Sequence, residues 1–181
     1  IISRVGIPHN MPKGLKETSG LITIGSTVTE TAPNTFTQQE VDLQLDPLNN
    51  EVFVVLAVDL NISSPDAIAG LDTRVRGSIS TTSRTALGSI ANTNVLGVAS
   101  EAIQAAGFVD GGVPFTFMSG ETPTGAVEYI GIIATNQFFL QVLGNNNLAA
   151  STCNSKMWGY RARADASIYA ALVQGELLSS Q

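Results

Sequence analysis

Residues 52–62 read VFVVLAVDLNI, and this run decides the fold class. Valine, phenylalanine and isoleucine at this density suit the pleated surface of a β-sheet. The opening VFVVL carries no polar residue, which predicts a strand covered on both faces. The remainder alternates, Val58, Leu60 and Ile62 against Asp59 and Asn61, which predicts one wet face. Turn chemistry brackets the run, with Asp46-Pro-Leu-Asn-Asn50 before it and Ser63-Ser-Pro-Asp66 after it.

Working outward, the same period-two pattern recurs on both sides. Ile22, Ile24 and Val28 alternate with Thr23, Thr27 and Thr29, and Val41, Leu43 and Leu45 alternate with Asp42 and Gln44. Downstream, Val75, Gly77 and Ile79 stand opposite Arg74, Arg76 and Ser78, and Thr81–Asn94 reads as strand fragments joined by Ser/Thr/Gly loops. Val95–Ala106 fits a helical period ended by Gly107. Phe115–Met118 reads as a short strand. Ala126–Ala134 and Gln137–Leu143 read as strands joined across Thr135-Asn136, which favours a hairpin. Met157–Ala164 places Trp158, Tyr160, Ala162 and Ala164 on one face. Residues 166–178 allow a helix behind Asp165 or a continuing strand, and the unbroken alternation favours strand as far as Val173. About eight strands with one or two short helices and no βα repeat predict an all-β protein. The natural arrangement is a two-sheet antiparallel sandwich, with a jelly roll as the leading form. Residues 1–20, broken by Gly6, Pro8, Pro12, Gly14 and Gly20, read as an extended N-terminal arm with Ile2, Val5 and Ile7 as apolar anchors. Residues 21–181 then form a single β-sandwich domain.

The chain is 44% apolar and only 13% charged, with a formal net charge of −6. Low charge with high apolar content argues against disorder. The acidic balance argues against a general nucleic-acid binder. The six arginines and three lysines leave residues 85–155 without a basic side chain. No run of 18 apolar residues occurs, so no transmembrane segment is expected. The single cysteine excludes an intrachain disulfide. A surface this poor in charge is either rich in neutral polar residues or partly covered by neighbouring copies.

Residues that could carry chemistry are few. His9 is the sole histidine and lies in the arm, a poor place for a member of a catalytic triad. Cys153 stands without a second cysteine or a nearby histidine and reads as a packing residue. Zinc lacks ligands. Asp42 and Asp46 flank a turn with Asn49, Asn50 and Glu51, where capping is the plain reading and calcium the sharper one. Neither a catalytic residue nor a cofactor is expected. Arg74 and Arg76, and likewise Arg161 and Arg163, are two apart and share a strand face. If their strands are neighbours, the four make a positive patch, joined by Arg84, for an acidic surface of another subunit or an enclosed nucleic acid. Ordinary salt bridging on a sheet face is the plainer account.

Taken together, the Pro/Gly arm, the long Val-rich strands, the neutral Ser/Thr/Asn loops and the segment MWGYRARADASIYAALVQGELL at 157–178 resemble the small single-jelly-roll coat proteins of icosahedral viruses. The resemblance implies a shell subunit in a virion. Its arm would contact neighbours, and its partners would be copies of itself and other shell proteins. It implies no catalytic residues. The arm departs from the strongly basic pattern of coat proteins that touch the genome, holding only Arg4, Lys13 and Lys16. That departure favours a shell without a packaging role or with a membrane or other layer inside. On this reading Arg74, Arg76, Arg161, Arg163, Ile2, Val5 and Ile7 are the candidate interface residues. The alternative is an extracellular or otherwise soluble carbohydrate- or ligand-binding β-sandwich using Trp158, Tyr160 or Tyr169. An enzyme on the same fold stands third, its cupin-like form excluded by the single histidine.

Overall fold

The computed structural model describes residues 11–107, 115–119 and 128–178. Among these residues, ten strands and one α-helix follow in chain order. They are β1 (Leu15–Glu17), β2 (Ile22–Thr29), β3 (Thr37–Asp42), β4 (Glu51–Ile62), β5 (Thr73–Ser80), β6 (Val95–Gln104), β7 (Phe115–Ser119), β8 (Gly131–Ile133), β9 (Gln137–Asn145), β10 (Thr152–Ala164) and α1 (Ala166–Leu178). A single 3-10 turn, Pro47–Asn49, precedes β4.

The pairing is that of a two-stranded ribbon rolled on itself. β2 pairs with β10, β3 with β9, β4 with β8 and β5 with β6, all antiparallel. Rolling adds the pairs β10–β4 and β9–β5. Two sheets result. One has β10 at its centre, flanked by β4 and β8 on one side and by β1 and β2, end to end, on the other; the second runs β3-β9-β5-β6-β7. This strand order is a jelly roll, an all-β two-sheet sandwich.

The VFVVL run lies in β4, where it is covered on both faces as its composition requires. Phe53, Val55 and Val58 point between the sheets, into a core shared with Val75, Ile79, Ile133, Phe138, Leu140 and Met157. Val52 and Val54 point the other way, into a second core with Tyr160, Ala162 and Ala164. A β-bulge explains why the inward set changes from odd to even numbers along the strand. Met157 pairs with Val58 and Gly159 with Val55, so β4 carries one extra residue at Leu56–Ala57. Gly159 is required at this crowded point, because a Cβ there would lie 2.2 Å from the Val54 carbonyl oxygen and 2.5 Å from the Phe53 ring.

Three expectations are overturned. Val95–Gln104 is strand β6 and not a helix. Two neighbours, β5 and β7, take its backbone groups, and that pairing outweighs the helical spacing of its small apolar residues. Residues 166–178 are helix from their first residue, with no strand to Val173. Ile168, Tyr169, Leu172 and Val173 lie over Val52, Val54, Tyr160 and Ala162; a strand would have left that apolar face bare. The amide of Asp165 donates to the Gly14 carbonyl at 3.1 Å, and the Tyr169 amide donates back to Asp165 at 2.8 Å, which starts the helix. Finally, β8 and β9 do not form a hairpin. The link at 134–136 crosses from one sheet to the other, and the Glu176 carboxylate of α1 takes the amides of Ala134 and Thr135 at 2.8 and 2.9 Å.

Of the segment read as an arm, residues 1–10, with Ile2, Val5, Ile7 and His9, lie outside the described residues. The next stretch is held down on the domain. Leu15–Glu17 pair with β10, and Met11 and Leu15 pack into the second core.

Candidate functional site

The sandwich has two ends, each built differently. At one end, loops 30–36, 63–72 and 144–151 meet over buried polar groups. Glu30 is nearly inaccessible. Its carboxylate accepts the amides of Gly144 and Ser151, both at 2.7 Å. Asn147 accepts from the Asp66 amide at 3.0 Å and donates to the Arg74 carbonyl at 2.9 Å. Asp66 in turn accepts the amides of Leu148 and Ala149 at 2.7 and 3.2 Å. Carboxylates spent on backbone amides fix loop shape. What they hold outward is apolar, since Leu71 and Leu148 are exposed, the latter by 79%. The opposite end carries Leu48, 93% exposed, on the turn that Asp46 caps.

The outer face of the second sheet around Ser78, Ser80 and Gln141 is covered by the loop between β5 and β6, through a buried polar network. Ser78 donates to Gln141 Oε1 at 2.8 Å. The Gln141 amide nitrogen donates to Gln38 at 3.0 Å and to Ser80 at 2.8 Å. Ser80 donates to the Thr82 carbonyl at 2.7 Å, and Gly88 N–H donates to Ser78 at 3.1 Å. Asn94 donates to Thr82 Oγ1. Arg84 closes the loop on itself through Ala86 O, Asn94 and Asn92 at 3.2 to 3.3 Å.

The four candidate arginines fall into two separate pairs. Arg74 is in register with Asn145, the last residue of β9. Arg161 donates to the Leu43 carbonyl, whose own amide is bonded to Asn136, just ahead of β9. The length of β9 therefore separates the pairs, about 26 Å at the rise of a strand, and they belong to different sheets. The four-arginine patch is not formed. Arg161 ties the two sheets at its end, through Leu43 O at 2.9 Å, Gln44 O at 3.1 Å and the Glu51 carboxylate at 3.5 Å. Arg163 donates to Asn49 at 3.0 Å. Arg74 and Arg76 stand on the outer face of β5 and line an open cleft of about 330 Å³ with Asp72, Thr73, Ala102, Gln104 and Asn145.

The remaining candidates have structural duties. Asp42 accepts the Gln44 amide at 2.7 Å and the Asn136 side chain at 2.8 Å. Asp46 accepts the Leu48 amide at 3.0 Å. Both therefore act as turn caps, and among the described residues no group of three His, Cys, Asp or Glu is placed to hold a metal ion. Cys153 is buried, its thiol pushed up to about 12 by desolvation, and its sulfur fills the space that Gly77 leaves, since a Cβ there would lie 2.7 Å away. Trp158 is half-buried, with the Lys156 ammonium 5.8 Å from the ring centroid, so a sugar stacking on that face would have to displace the lysine. No helix among the described residues is long and apolar enough to cross a membrane.

What fold and site define is a jelly-roll β-sandwich domain, an architecture used by structural and by ligand-binding modules alike. No protein-family model and no curated protein matches the chain.

Proposed function

We propose that the chain is a structural subunit of a closed protein shell, a viral capsid protein that assembles with copies of itself and with other shell proteins. The observation that carries this reading is the pair of loop ends on a rigid jelly roll. Leucines stand outward there on loops whose backbone amides are held by the Glu30, Asp46 and Asp66 carboxylates. Exposed leucines taken singly are ordinary. Leucines on fixed loops at both ends of a sandwich, on a chain only 13% charged, suit subunits that meet end to end with little ordering cost. Arg161 and Arg163 serve the sandwich itself on this reading, and Arg74 and Arg76 remain available to a partner.

Electron microscopy of the purified chain at high concentration tests the proposal. Closed particles or uniform rings are expected. A field holding only dispersed single subunits, with no particles at any concentration tried, would remove the shell reading.

A further inference from the structure

We infer that the cleft at Arg74 and Arg76 is a binding site for an oxyanion, a phosphate or carboxylate group. The site stands whether or not the chain assembles. Strand alternation puts both guanidiniums on the outer face of β5, because Val75 and Ile79 between and beyond them are committed to the core. Across the ladder stand Ala102, opposite Arg74, and Ser100, opposite Arg76. These small residues leave the arginines uncovered from that side. Among the described residues the one ion pair is that of Arg161 with Glu51, so neither Arg74 nor Arg76 meets a carboxylate there. Asp72 lines the cleft, yet its Oδ1 is occupied by the amides of Ala105 and Ala106 at 2.8 and 2.9 Å.

Arg76 is held in place without being satisfied. Its Nη2 donates to Asn145 Oδ1 at 3.0 Å, which orients the guanidinium plane. Its Nε is buried without a hydrogen-bond partner among the described residues. Burial, and then the neighbouring Arg74 charge, lower its pKa from the ordinary value, since both disfavour a charged guanidinium. An oxyanion between the two guanidiniums would relieve their repulsion and accept charge-assisted hydrogen bonds in the planar, forked geometry that arginine favours. A volume of about 330 Å³ suits a small anion or the carboxylate end of a side chain. A second recess, lined by Leu87, Ile90 and Val98, adjoins it at Arg76, so an anion with a short apolar extension has room.

The test is calorimetric titration of inorganic phosphate, and separately of glutarate, into the full chain at low ionic strength. Arg74→Met and Arg76→Met are compared with Lys156→Gln, which removes one positive charge from the other sheet. Saturable binding is expected for at least one anion. It should weaken by about tenfold or more in each arginine variant and by less than about twofold in Lys156→Gln. Phosphate binding would identify a free or esterified phosphate as the ligand, and binding of glutarate alone would identify an acidic side chain. Arg74 is exposed, so Arg74→Met is expected to fold and keeps the test decisive should Arg76→Met fail to. Binding of neither anion, or equal weakening in Lys156→Gln, would overturn the site.

Discussion

Each sheet covers part of its outer face, and the two do so by opposite chemistry. On the sheet centred on β10 the cover is helix α1, and the contact is apolar, with Ile168, Tyr169, Leu172 and Val173 over Val52, Val54, Tyr160 and Ala162. On the sheet that holds β9 the cover is the Thr81–Asn94 loop, and the contact is polar, through Ser78, Ser80 and Gln141, all fully buried. An apolar contact is non-directional and tolerates small shifts. A buried polar network stabilises only when every member is satisfied, and the loss of one partner strands the others. The polar side should therefore be the more brittle.

The largest effect is expected from Gln141→Leu, which keeps the volume and removes the acceptor for Ser78 and the donor to Ser80. A loss of about 3 kcal/mol in urea unfolding is expected. Val54→Ala, which thins the apolar contact under α1, should cost about 2 kcal/mol. A reversed order would mean that water repairs the polar network and that the loop is a loose flap.

Glu176 gives the apolar cover a charged contact, through the amides of Ala134 and Thr135. Its carboxyl is raised above the ordinary Glu value, chiefly by burial and in part offset by the hydrogen bonds from residues 134 and 135. With the folded value above the unfolded one, the folded state binds the proton more tightly. Stability should rise as pH falls from neutral through the folded value and level off near the unfolded value of about 4.3. Urea titrations at several pH values should show this gain in the wild type and lose it in Glu176→Gln. Leu148→Asp should have the smallest effect on the fold, under about 0.5 kcal/mol, while reducing self-association at the sandwich end.

The two covers also differ in how far they could be read from sequence. The apolar one announced itself in VFVVL and in Tyr160, Ala162 and Ala164, whose outward burial required a partner. The partner was misread because Asp165 is a weak stop signal and the alternation runs on past it. The polar cover was illegible. Gln141 sits in an apolar strand and meets Ser78, 63 residues away, and Gln38, 103 residues away. No local pattern records such a pairing. β6 was misread because its Ala, Val and Ile spacing fits a helix, and only pairing with β5 and β7 decides otherwise. The shared face of Arg74 and Arg76 followed from spacing alone. Their distance from Arg161 and Arg163 depends on sheet membership, which spacing does not carry.

The proposed shell role requires that this jelly roll meet copies of itself. The most direct measurement is the mass in solution by size-exclusion chromatography with light scattering, over a wide concentration range. A shell subunit should give trimers, pentamers or larger closed species that Leu148→Asp diminishes. A strict monomer at every concentration would contradict it.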